Sequence, residues 1–224
     1  AQSIIEGLNE EFGGGFILAV RPRVYSKTQN EFTGRERKMG AITELVKAIG
    51  GDRSGFKVLC GDTGELSRVK YLFALDSDTQ PVFDTASELL GIALHPQNKP
   101  VIDKKLGKVT GGYGIIVPGA CTGLAGDGST SFRRLMGGDG GITAYDNVCG
   151  ELYQDLFGEG IFSGKGLIDV DAYAAVMNGA LPKERVLSHD IVEGGFLRAG
   201  FASDMQIIEG FPQNAGSYYA RLDR

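Results

Sequence analysis

The segment that most constrains this chain is Val69 to Leu75, an almost wholly apolar run followed at once by Asp76-Ser77-Asp78-Thr79. A short continuous apolar run bounded by turn residues is the pattern of a strand covered on both faces, so it predicts a buried strand delivering two acids to a sheet edge. Phe16 to Val20 repeats the covered-strand pattern, and Val58 to Cys60, Gly112 to Val117 and Phe201 to Ile208 read as further extended segments. Helical spacing lies between them. Ile4, Ile5, Leu8 and Phe12 share a face within Ser3 to Phe12, and Met39, Ile42, Leu45, Val46 and Ile49 recur from Lys38 until Gly50-Gly51 ends the helix. Thr85 to Leu94, Val170 to Met177 and Asp190 to Ala199 follow the same spacing. Helices and strands interleave throughout, which makes the predicted class α/β.

Glycine is in excess, 35 of 224 residues, more than twice the usual ~7%. The glycine-rich stretch from Cys121 to Ile142, with Arg133 and Arg134 in its middle, therefore reads as a mobile loop. The formal charge of −5 supplies no basic field, which argues against a nucleic-acid partner. Cys60, Cys121 and Cys149 lie far apart and form no CxxC pair, and two histidines cannot build a histidine-rich metal centre. No apolar run reaches the ~18 residues that cross a bilayer, and no signal-peptide layout opens the chain, so the piece reads as soluble.

Several clusters carry candidate chemistry. Gly160 to Gly166 lacks the earlier glycine and the following Ser/Thr of a phosphate-binding P-loop, and no GxGxxG follows a strand. Asp76 and Asp78 are stronger. Two crowded carboxylates need a counter-charge, and a hard divalent cation such as Mg²⁺ or Mn²⁺ accepts oxygen ligands and bridges to a diphosphate, where it acts as a Lewis acid. A simple turn that caps the next helix is the plainer reading of the same residues. Arg35, Arg37 and Lys38 open a helix, where outward N–H groups favour a phosphate, although such a run is also what a solvated face looks like. Ser188-His189-Asp190 opens another helix, and Asp190 reads either as a proton acceptor or as a cap. Phe157 to Gly166 reads as backbone that approaches a ligand, with Glu159 and Lys165 as polar handles, or as a plain turn. Tyr153, Gln154 and Asp155 before it offer hydrogen bonds to sugar hydroxyls, with Tyr153 equally suited to a core.

Arg35-Glu36-Arg37-Lys38-Met39-Gly40-Ala41, Leu75-Asp76-Ser77-Asp78-Thr79, Tyr153 to Gly160, Gly164-Lys165-Gly166, Asp169-Val170-Asp171 and Leu187-Ser188-His189-Asp190 together resemble the glycosyltransferase domain of cyclic β-1,2-glucan synthases. The likeness runs in order over nearly the full chain. It implies one GT-A-like domain over residues 1–224, a mixed sheet flanked by helices, from an inverting, membrane-embedded, multidomain synthase. Such an enzyme takes glucose from UDP-glucose and adds it to a growing β-1,2-glucan on the cytoplasmic face of the inner membrane. The remaining domains and transmembrane helices of the parent would be its partners. The resemblance makes Asp76 and Asp78 the holders of Mg²⁺ or Mn²⁺ and the diphosphate, and Asp190 the general base. It makes Arg35, Arg37 and Lys38 donor-site residues. Processive relatives carry an arginine-tryptophan motif near the pyrophosphate and acceptor, which brings in Arg221 and Arg224, the last residue before the missing tryptophan.

The same comparison predicts truncation at both ends, with a central strand lacking. Val58 to Cys60 fills that place, which would set Asp62 against the uracil, or a partner chain does, or the piece is part of the folded domain. Two other functions fit the residues: a non-catalytic module that binds glucan or contacts other domains, and a transferase using another sugar nucleotide.

Overall fold

The computed structural model describes residues 1–123, 130–137, 148–182, 184–186 and 189–222, the side chains of 148–151 and 222 excepted. In chain order the elements are α1 (Gln2–Phe12), β1 (Ile17–Val20), β2 (Val24–Ser26), β3 (Glu31–Thr33), α2 (Arg37–Ile49), β4 (Val58–Gly61) and a 3-10 turn (Gly64–Arg68). They continue with β5 (Tyr71–Ala74), β6 (Gln80–Pro81), α3 (Thr85–Leu94), a 3-10 turn (Pro96–Asn98), β7 (Val101–Asp103), β8 (Lys108–Gly111) and β9 (Ile115–Thr122). Then come α4 (Ser131–Met136), α5 (Val148–Phe157), β10 (Gly166–Asp169), α6 (Val170–Met177), α7 (Asp190–Leu197), β11 (Ala199–Glu209) and α8 (Ala215–Leu222). The class is mixed α/β. No helix among the described residues is long and apolar enough to cross a membrane.

The chain divides into two compact units. The first comprises residues 1–72 and 170–189. Its core forms where the apolar stripe of α2, with Ile42, Val46 and Ile49 buried, meets α6, whose Tyr173 is 1% exposed. Tyr173 spends its polar end on Thr43 Oγ1 (3.1 Å) and the Met39 carbonyl (3.4 Å), as a buried phenol must. β1 and β4 form an antiparallel two-stranded ladder, and β2 and β3 a hairpin. Two expectations change here. Phe16 to Val20 is not covered on both faces: Ala19 and Val20 are exposed, because its ladder has only two strands. Val58–Gly61 pairs with β1 and not with the main sheet, so it does not fill a central-strand position.

The second unit comprises residues 73–169 and 190–224. Its sheet has the order β5-β10-β9-β11-β6, with β9 and β11 parallel and β10–β9 and β11–β6 antiparallel. The central strands β9 and β10 are nearly continuous buried apolar runs, and α3 packs across β9, β10 and β11 through the fully buried Leu89. Pro118 in β9 has no N–H to give, and β11 shifts register beside it, between Ala202 and Gln206. The strand expected over Val69 to Leu75 is shorter and lies at the sheet edge, with every residue half-buried, because only β10 pairs with it. Part of the expected loop from Cys121 to Ile142 is ordered structure: β9 runs to Thr122, and Thr130 caps α4 by accepting from the Arg133 N–H at 3.2 Å. Residues 124–129 and 138–142 of that stretch lie outside the described residues. α7 ends at Leu197, two residues before the predicted limit, and Ala199 already belongs to β11.

Candidate functional site

β5 ends at Ala74, and the Thr79 N–H closes a turn onto the Asp76 carbonyl at 3.1 Å. That turn sets Asp76, half-buried, and Asp78, exposed, on the wall of one open cleft of about 760 Å³. The rest of the wall is the segment after β11, Gly210 to Gln213, with Ser217, Ala220 and Arg221 of α8. The cleft therefore stands at the carboxyl ends of β5 and β11, where open α/β sheets hold ligands.

Arg221 is its cationic member. One guanidinium nitrogen lies 3.9 Å from Asp78 Oδ2 and donates to the Gly210 carbonyl at 3.4 Å, and the other lies 4.0 Å from Glu209 Oε2. Glu209, 3% exposed, also pairs with the buried Lys165. In the sequence Glu209 shows only as a charge at the end of an apolar strand, which by itself assigns it no role.

Asp190 is the first residue of α7, where the positive helix end favours a carboxylate. Its carboxylate packs on Gly164: a Cβ there would come within 2.9 Å of Asp190 Oδ2, and a φ of +86° also demands glycine. Gly164 precedes Lys165, so Asp190 sits one residue from the Lys165–Glu209 pair. It does not line the Asp76–Asp78 cleft. Ser188 and Arg224 lie outside the described residues.

The glycine-rich segment proves to approach the protein itself. The Gly160 N–H donates to the Ala199 carbonyl at 2.7 Å, and Lys165 is buried on Glu209 and not offered to solvent. Gln154 is likewise occupied: its amide nitrogen donates to the Phe201 carbonyl at 2.8 Å, and its oxygen accepts the Phe201 N–H. Tyr153 is 42% exposed and its ring lies tilted against that of Phe157, centroids 4.6 Å apart, so it is not a core residue.

Arg35, Arg37 and Lys38 belong to the first unit. Arg35 and Arg37 border a small cavity with Glu36, Glu184 and His189, and Arg35 also borders a larger one of about 550 Å³ with Arg21, Thr43 and Lys47. Lys38 is half-buried and lines neither. Glu36 and Arg37 both take left-handed backbone angles, φ 55° and 45°. The Glu36 carboxylate accepts the Glu184 N–H at 2.6 Å and lies 3.0 Å from the Nε2 of buried His189. Asp62 accepts the Gly15 N–H at 3.1 Å, a turn-holding contact.

Among the described residues no three His, Cys, Asp or Glu side chains gather where they could hold a metal. No family model matches the chain. The cyclic beta-(1,2)-glucan synthase NdvB of Rhizobium meliloti (strain 1021) is 35% identical over 198 residues, which is 88% of this chain and 7% of that protein's length. A match of that identity over nearly the whole chain, with the motifs above inside it, relates this chain to a glucan synthase domain, one stretch of a much longer protein.

Proposed function

We propose that the chain is the donor-binding and transfer segment of an inverting, GT-A-type glucosyltransferase that moves glucose from UDP-glucose onto a growing β-1,2-glucan. The observation supporting it is that Asp76, Asp78 and Arg221 share one cleft at the strands' carboxyl ends in a relative of a glucan synthase. The donor set fits a hard cation. Two carboxylates, with no third His, Cys, Asp or Glu gathered beside them among the described residues, leave positions for diphosphate oxygens and water, the way Mg²⁺ is commonly held at phosphates. Bound by Asp76 and Asp78, Mg²⁺ or Mn²⁺ would supply neutralisation of the charge growing on the departing UDP.

Arg221, with its fixed fork of N–H donors, binds the diphosphate oxygens from the α8 side. Asp190, outside the wall of that cleft but in the same compact unit, is the general base that the resemblance implies: it takes the proton of an acceptor hydroxyl as that oxygen attacks the anomeric carbon opposite UDP. The C–O bond to UDP breaks as the new bond forms, giving the inverted, β linkage. Arg35, Arg37, Lys38 and Arg224 are carried as donor-site residues by the resemblance alone. In the parent synthase this chemistry belongs to the cytoplasmic face of the inner membrane, beside the remaining domains.

Calorimetric titration with UDP tests the reading. Binding is expected to be roughly tenfold tighter with Mn²⁺ or Mg²⁺ than in EDTA, and Asp78→Asn should erase that difference. Identical traces with and without metal in the unsubstituted protein would refute it.

A further inference from the structure

Glu209 is a buried carboxylate that the donor-site reading leaves unused. Its neighbours in the sheet are polar as well. In the β9–β11 register it faces Thr122, and continuing the Ile208–Gln80 pairing by one residue sets Thr79 on its other side. Both threonine hydroxyls are buried without a hydrogen-bond partner among the described residues. A buried ion pair with Lys165 in such a row is a costly way to stabilise a sheet, since an apolar pair of similar volume commonly does as well. The row ends beside the cleft, where Arg221 lies 3.9 Å from Asp78 and 4.0 Å from Glu209, nearly midway between two carboxylates.

We infer that Glu209 is a positioning residue: anchored by Lys165, it draws the Arg221 guanidinium away from Asp78 and so keeps Asp78 available to a divalent cation. The inference rests on the donor-site reading above. The charges give it a direction. Lys165 and Arg221 against Asp76, Asp78 and Glu209 leave one net negative charge, which attracts a cation first. A bound divalent cation turns the cluster net positive, which then favours a diphosphate. Without Glu209, Arg221 falls onto Asp78 and competes with the metal.

The test titrates Mn²⁺ alone, following free Mn²⁺ by electron paramagnetic resonance, and then UDP at saturating Mn²⁺. Glu209→Gln should weaken Mn²⁺ binding roughly tenfold, and Glu209→Asp, which keeps the charge, should recover most of it. Arg221→Gln, at a half-exposed position, should tighten Mn²⁺ binding several-fold while weakening UDP binding. The double variant Glu209→Gln/Arg221→Gln should return Mn²⁺ affinity to within about twofold of the unsubstituted protein. Mn²⁺ affinity unchanged or lowered in Arg221→Gln, or a double variant as weak as Glu209→Gln, overturns the inference and leaves the donor site standing. An unsubstituted protein that takes up no Mn²⁺ overturns both.

Discussion

The guanidinium of Arg21 forks between the carbonyls of Arg35 (2.8 Å) and Arg37 (2.6 Å), tying down the residues that open α2. Burial lowers its pKa while the charge of Glu44 partly restores it, and an arginine so placed stays charged at neutral pH. Gly40 makes the arrangement possible, because a Cβ there would lie 2.1 Å from the Arg35 carbonyl oxygen and 2.6 Å from Arg21 Nη1. Gly40→Ala should therefore cost about 1–3 kcal/mol in urea unfolding, as overpacking does. Arg21→Lys cannot span both carbonyls and should cost about 1 kcal/mol, read from the same midpoint. At the surface, the Ser54 hydroxyl and then its N–H (3.0 Å) hold the Asp52 carboxyl below the ordinary aspartate value. The stabilisation that follows is present above the unfolded-state pKa and fades as pH falls through the lower folded value. Asp52→Asn should flatten the melting temperature's pH dependence in that acid range. Arg35, Arg37 and Lys38 are visible in the sequence as a cluster, whereas Arg21 is not marked there, since nothing local says which carbonyls a guanidinium will meet.

Among the elements, α5 and β11 show what periodicity misses. Leu152, Tyr153, Leu156 and Phe157 of α5 recur at helical spacing, yet all four are exposed, so the spacing does not say what holds this helix in place. What ties it down is Gln154, whose amide imitates a neighbouring strand for both backbone groups of Phe201. Gln154→Leu should leave those groups unpaired, cost about 1–3 kcal/mol, and speed hydrogen exchange at the Phe201 amide. α2, α3 and α6 were legible because each buries a helical stripe in the core of its own unit. The acid-bearing strand was legible as a strand but not as an edge strand, because an apolar run records burial and not the number of hydrogen-bonded neighbours.

Across the molecule, the acids Asp76, Asp78 and Asp190 and the cation Arg221 fall in one compact unit, and the Arg35 to Lys38 cluster in the other. If the roles divide as proposed, Asp190→Asn should leave metal-dependent UDP affinity within about twofold and lower glucosyl transfer at least about a hundredfold, in a radiolabelled transfer assay with the full synthase. Loss of UDP binding in that variant would instead make Asp190 a donor-site residue. The order of residues along the chain by itself determined the α/β class, the motif types, and the pairing of two acids at a strand exit, because those depend on neighbours within a few positions. Only the tertiary structure decided that Lys165 meets Glu209, that Arg221 stands between Glu209 and Asp78, and that Asp190 closes on Gly164. Those partners lie from a dozen to more than a hundred residues apart, and strand register and helix docking, set by the packing of the core around them, bring them within reach of one another.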